Sequence, residues 1–212
     1  MTGQLRFERM KLGRMLSWRP LLAFCLISAI SAPAATQATA AAQTERAREA
    51  LKSLGFDAQV ETTAIGDRLQ YRSAPKLTAG GVVTSLTVFI TPTEKQAREV
   101  LEAVCGTYIA PTYGPAEKLD IGLMEKATVF KSLGGWLPNP PYWIPYGHVG
   151  GHFLCGSIYA AVTQERAEAS PLKTQPEAKT SGQRLAAGIQ PDVVELLKKL
   201  AKALTDKGAC RP

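Results

Sequence analysis

The sequence predicts an α+β fold, an antiparallel sheet of about five strands covered by helices on one face, with a C-terminal amphipathic helix after a flexible linker. Three observations lead there. Several segments carry the period-two alternation and β-branched residues of strands, the connections among them are of hairpin length, and helical stretches stand before, between and after groups of strands rather than after each one. A mature region of this length fits one domain.

The first 34 residues are set apart. Arg6, Arg9, Lys11, Arg14 and Arg19 precede an uncharged run from Leu21 to Ala35. The run is shorter than the ~20 apolar residues of a membrane-spanning helix and decays into Ser, Pro and Ala. Residues 1–34 are therefore read as a cleaved secretory signal with an A-x-A site at Ala32 and Ala34, Ala38 and Ala40 being alternative cleavage points. Phe24 stands where a lipid-anchor signal needs a small residue before Cys25, and Met10 offers a second start besides Met1. The expected destination is the periplasm or the medium, with no transmembrane segment in the mature chain. Of the 25 Lys and Arg and 18 Asp and Glu, the leader holds five and one, leaving 20 against 17. So mild a basic excess, unclustered, argues against a nucleic-acid partner.

Residues 35–163 make the expected α+β domain. "TERAREALKSLGF" reads as a helix capped by Thr44 and stopped by Gly55, with Ala47, Ala50, Leu51 and Leu54 on one face. "DAQVETTAIGDRLQYRS" reads as two strands around a turn at Ile65-Gly66-Asp67, and "GVVTSLTVFITPT" is the clearest strand, ended by Pro92. Next comes a helix capped by Thr93 with Gln96 as its capping-box partner, its apolar stripe formed by Ala97, Val100, Leu101, Val104 and Tyr108. "APTYGPAEKLDIG" should wander over the surface; "EKATVFKSL" is a fourth strand and "GHFLCGSIYAAVT" a fifth. From residue 164 to 190 the composition turns polar, without evident periodicity, and reads as a flexible linker. Residues 191–207 follow as the amphipathic helix: Pro191 suits a first helical position, Val193, Leu196, Leu197, Leu200 and Leu204 form a stripe, and Gly208 stops it. That stripe either docks on the sheet or captures a partner; its lysines also allow weak adsorption to anionic lipid.

Removal of the leader leaves Cys105, Cys155 and Cys210. In "HFLCGSIYAAV" read as one strand, Phe153, Cys155, Ser157 and Tyr159 share a face, and Cys105 borders the helix stripe. A disulfide between Cys105 and Cys155 would staple helix to sheet for ~2–4 kcal/mol, leaving Cys210 spare.

The segment "SLGGWLPNPPYWIPYGHVGGHFLCG" carries the remaining chemistry. Trp136, Tyr142, Trp143 and Tyr146 are interleaved with Pro138, Pro140, Pro141 and Pro145, which stiffens a loop whose rings suit a partner interface or the faces of sugar rings. His148, His152 and Cys155 are candidate metal ligands by residue type, yet Val149-Gly150-Gly151 opposes the helix that H-x-x-x-H ligation needs, and on a strand Cys155 points away from His152. The same burial and opposition weaken a Cys–His nucleophile, and the mature chain carries no nucleophilic serine motif, phosphate loop or close carboxylate pair. The expectation is an exported, non-catalytic binding or accessory protein of the bacterial cell envelope. It needs no cofactor, and its partner is an envelope protein or cell-wall glycan. An envelope hydrolase with a site assembled from scattered residues is the first alternative, and a metal-binding periplasmic protein using His148 and His152 the second.

Overall fold

A computed structural model describes residues 34–108, 116–123, 127–132, 134–139, 141–172 and 174–210. The leader up to residue 33, with its reading as a signal, lies outside the described residues. The elements are α1 (Ala34–Ser53), β1 (Gln59–Thr63), β2 (Gly66–Arg72), β3 (Val82–Ile90), α2 (Glu94–Tyr108), β4 (Glu117–Leu119), β5 (Ala127–Lys131), β6 (Gly135–Asn139), β7 (Tyr142–Cys155), β8 (Ile158–Ala167) and α3 (Gln175–Asp206). The fold is α+β. Its antiparallel strands run β1-β2-β3-β8-β7-β5-β4, with β6 pairing β7 beyond the end of β5.

The described sheet has eight strands rather than about five. The expected fifth strand is two, because the chain reverses at Gly156-Ser157, where Gly156 takes φ +57°, a left-handed conformation that glycine adopts without a side-chain clash. The aromatic loop is a hairpin of β6 with the first half of β7, and Glu117–Leu119 adds a short strand to β5 in a passage expected to be irregular. Strand β7 is 14 residues long. It pairs with β8 along one edge and with β5 and then β6 along the other.

Side chains of β7 alternate between two differently covered faces. Val149, Phe153 and Cys155 join the large core shared with α1 and α3, whereas Leu154 meets Ala97 and Val100 of α2 on the opposite side, together with Tyr159. Helices thus cover both faces, not one. The helix α2 begins as expected: the Gln96 N–H donates to Thr93 Oγ1 at 3.3 Å while that hydroxyl donates to Gln96 Oε1 at 2.9 Å. Thr44 is no cap, since the alanine-rich run before it continues the helix; its buried hydroxyl lies 3.0 Å from the Ala40 oxygen and 2.8 Å from Asp67 Oδ2.

The largest departure is α3. Residues expected as a flexible linker, 164–190, form the end of β8 and the first half of one 32-residue helix that runs through Pro191. Thr174 caps it, its oxygen accepting from the Glu177 N–H at 3.4 Å and its hydroxyl donating to Glu177 Oε2 at 2.6 Å, with Pro176 in the first turn. Beside Pro191, which costs a helix about 3 kcal/mol, Gln190 accepts from Lys131 Nζ at 3.3 Å and donates to Glu117 Oε2 at 2.9 Å, tying mid-helix to β5 and β4. The buried face runs Ala178, Gly182, Ala186, Ile189, Val193, Leu197, Leu200 and Leu204, so the C-terminal stripe docks on its own sheet.

The small residues in the first half set the distance of approach. A Cβ on Gly182 would lie 2.5 Å from the Tyr146 oxygen and 2.7 Å from the Gly135 oxygen; one on Gly147 would lie 2.5 Å from the Ala186 nitrogen. Gly182→Ala should therefore destabilise the fold by about 1–3 kcal/mol through overpacking. Gly188→Ala, on the same helix with nothing within 4 Å of its Cβ position, should stabilise it by about 0.4–1 kcal/mol. Urea unfolding midpoints of the two variants check both signs.

Candidate functional site

The aromatic segment is ordered as a hairpin held on both edges. On one side Trp136 faces Pro145 and Pro138 faces Trp143 across the β6–β7 pair. On the other, the Glu168 N–H donates to the Pro145 oxygen at 2.9 Å, and Trp143 exchanges two backbone hydrogen bonds with Leu172, at 2.9 and 2.8 Å. Ser132 sits at the break between β5 and β6, where its hydroxyl accepts from the His148 N–H at 3.1 Å.

Strand alternation divides the four candidate aromatic residues. Trp136 and Trp143 lie on the face of the sheet that α3 occupies and meet edge to face, their ring centroids 6.2 Å apart with planes at 86°. Tyr142 and Tyr146 lie on the opposite face. Tyr142 is 41% exposed at the tip, while Tyr146 stacks on His148 at 6.3 Å. The segment is one structural unit with two aromatic surfaces, not one patch.

His148 and His152 share the face of Tyr146, but they do not converge. Phe130 on β5 lies directly across from Gly150, and its ring occupies the space where a Gly150 side chain would stand. It separates the two imidazoles, lying 6.5 Å from His148 and 6.0 Å from His152. A metal ion shared by the two histidines would have to displace that ring, and among the described residues no group of three potential ligands gathers. Tyr159 continues the stripe 6.0 Å from His152, Phe89 follows at 6.3 Å, and the Arg68 guanidinium covers Phe89 at 5.9 Å. The run Tyr146, His148, Phe130, His152, Tyr159, Phe89 thus crosses β7, β5, β8 and β3 as a chain of touching rings.

Burial lowers the pKa of both histidines. For His148 the neighbouring Glu165, its cross-strand partner, partly offsets the shift; His152, 5% exposed, falls to about 4. Neither imidazole is a cation at neutral pH, and Cys155 points to the other face, so the Cys155–His152 nucleophile is not assembled. The Cys105 side chain lies outside the described residues. Cys155 belongs to the core facing α1 and α3, away from the Leu154 side that meets α2. Its neighbour is instead Cys210: hydrogen bonding to Cys155, and then burial, hold the Cys210 thiol protonated, well above the usual thiol range.

Sequence reasoning did not find the cleft beside the hairpin. An open depression of about 530 Å³ is lined by Glu168, Leu172, Glu177, Thr180, Ser181 and Arg184. Glu168 Oε2 is buried there without a hydrogen-bond partner among the described residues, while Arg184 donates to Ser181 Oγ at 3.1 Å. The polar residues that line it lay in the stretch read as linker, where nothing but the Thr174-x-x-Glu177 capping pattern announced a helix. No family model matches the chain, and no curated protein matches it.

The histidines give the fold an acid limb. The unfolded imidazole takes its proton near pH 6.5 and folded His152 only near 4, so its contribution is complete above pH 6.5 and is lost as pH falls from there through 4. That contribution is about 3 kcal/mol. Thermal unfolding between pH 7 and 4 should show the decline, and His152→Leu should make it shallower.

Proposed function

We propose that the chain is an exported, non-catalytic binding protein of the bacterial cell envelope whose contact surface is the β6–β7 hairpin with the adjoining cleft, and whose ligand is cell-wall glycan. One observation carries the reading. The half-exposed edge-to-face pair of Trp136 and Trp143 is held on a hairpin fixed at both edges, and through Leu172 that hairpin adjoins a cleft lined by Glu168, whose Oε2 is buried without a hydrogen-bond partner among the described residues. Aromatic faces cover the apolar faces of sugar rings, and a preorganised backbone loses little entropy on binding. The Glu168 carboxylate and the Arg184 guanidinium, both lining the cleft, offer an acceptor and a donor for hydroxyl and amide groups, the arrangement of a few polar groups in a concave site that fixes ligand orientation. Export rests on the basic and apolar leader. Among the described residues no helix is long and apolar enough to cross a membrane.

The test is co-sedimentation with purified peptidoglycan sacculi. The processed chain should pellet with them, and Trp136→Ala with Trp143→Ala should weaken binding at least ~10-fold while the far-ultraviolet circular dichroism stays unchanged. Glu168→Gln should weaken it by a smaller factor. Absence of pelleting, with capture of an envelope protein that the tryptophan variants abolish, would move the ligand to the protein class. Binding indifferent to both tryptophans would remove the hairpin from the contact surface.

A further inference from the structure

We infer that Cys155 and Cys210 are the two halves of a disulfide site that fastens the end of α3 to the β7–β8 turn. The two residues lie in the same buried core, 6% and 2% exposed, and the Cys210 thiol hydrogen-bonds Cys155. The backbone of each is already fixed. Cys155 pairs with Ile158 at the end of β7. After α3 the chain folds back on itself, the N–H groups of Ala209 and Cys210 donating to the Leu204 oxygen at 2.9 and 3.0 Å. One side chain of α1 joins the two segments: Gln43 Nε2 donates to the Ala209 oxygen at 3.1 Å, and Gln43 Oε1 accepts from Ser157 Oγ at 3.3 Å. Arg46 adds a bond to the Gly208 oxygen at 3.2 Å. Both cysteines are thiols in this structure, and the bond requires their sulfurs to close to roughly 2 Å. What Gln43 bridges by hydrogen bonds, the disulfide closes covalently, around a loop that contains β8 and all of α3.

Access comes from a groove of about 290 Å³ lined by Gln43, Arg46, Cys155, Ser157 and Ala209. The oxidant is a small or protein disulfide. The Cys155 thiol gives up its proton and its thiolate attacks one sulfur of the donor, forming a mixed disulfide and releasing the other donor sulfur as a thiol. Cys210 then loses its proton and attacks the Cys155 sulfur, and the second donor thiol departs. Two protein thiols lose two protons and two electrons, and the donor disulfide takes them up as two thiols. The hydrogen bond to Cys155 and the burial that keep the Cys210 thiol protonated make the exchange slow in the folded chain and faster while the C-terminal turn is open.

The test is independent of the ligand and of where the chain resides. The full chain is refolded from denaturant in mixed oxidised and reduced glutathione, remaining thiols are alkylated, and the disulfide-linked peptides are mapped by mass spectrometry. The expected product links Cys155 to Cys210 and melts roughly 4–10 °C above the dithiothreitol-reduced form. Cys155→Ser and Cys210→Ser should each abolish that difference, and Cys105→Ser should preserve it. If a serine variant fails to fold, the peptide map of the unsubstituted chain decides alone. A bond from Cys105 to either residue, or full alkylation of both Cys155 and Cys210 after oxidative refolding, would overturn the inference.

Discussion

The structure depends on how closely α3 lies against β7. A helix packed on a sheet through leucines stands a side chain's length away, whereas here Gly182 of the helix faces the backbone oxygens of Gly135 and Tyr146, and Gly147 of the strand faces the helix backbone at Ala186. Neither glycine has room for a Cβ. Farther along, Gly151 admits a methyl group of Leu197, and the contact widens into an ordinary aliphatic core of Ile189, Val193, Leu197, Leu200 and Leu204. The apolar half supplies most of the burial, at roughly 1.5–3 kcal/mol for each fully covered aliphatic side chain. The glycine half contributes less energy and sets the position of the hairpin.

That division explains the form of β7. Its odd-numbered residues are matched to α3, small where the helix is near and large where it recedes, and its even-numbered residues carry Tyr146, His148, His152 and Leu154 to the other face. Gly150 would leave a gap in that second row, and the Phe130 ring fills it from the neighbouring strand. The histidines thereby become members of an aromatic stack that burial holds neutral. The strand then continues past β5 into the hairpin, with Trp136 and Trp143 on the side where the cleft and the first turns of α3 lie. Structure and contact surface are consecutive parts of one strand.

The fold class, the strand β3, the capped helix α2 and the leucine stripe of the C-terminal helix were legible in the sequence, because each combines strong hydropathy with a recognisable start or stop. The missed features share a cause. Residues 152–155 and 158–160 are buried whichever face they point to, so apolar runs flank Gly156-Ser157 on both sides without the in-and-out contrast that would have marked the reversal there. The first half of α3 keeps helical spacing in Ala178, Gly182 and Ala186, but residues so small carry little hydropathy, and a docked helix was read as a linker. At the site, the aromatic segment stood out by composition. Its division into two faces follows from pairing register, which short-range patterns do not contain. The place of Cys210 beside Cys155 depends on α3 returning along the sheet, and was lost with the helix.

Residues 178–190 are docked helix as fully as residues 193–204. Amide hydrogen exchange, followed residue by residue, measures this directly. Comparable protection is expected for the amides of Ala178, Gly182, Ala186 and Ile189 and those of Val193, Leu197 and Leu200, all opening with the global unfolding of the sheet. Exchange of the first group at the rate of an unstructured chain, while the second stays protected, would contradict it.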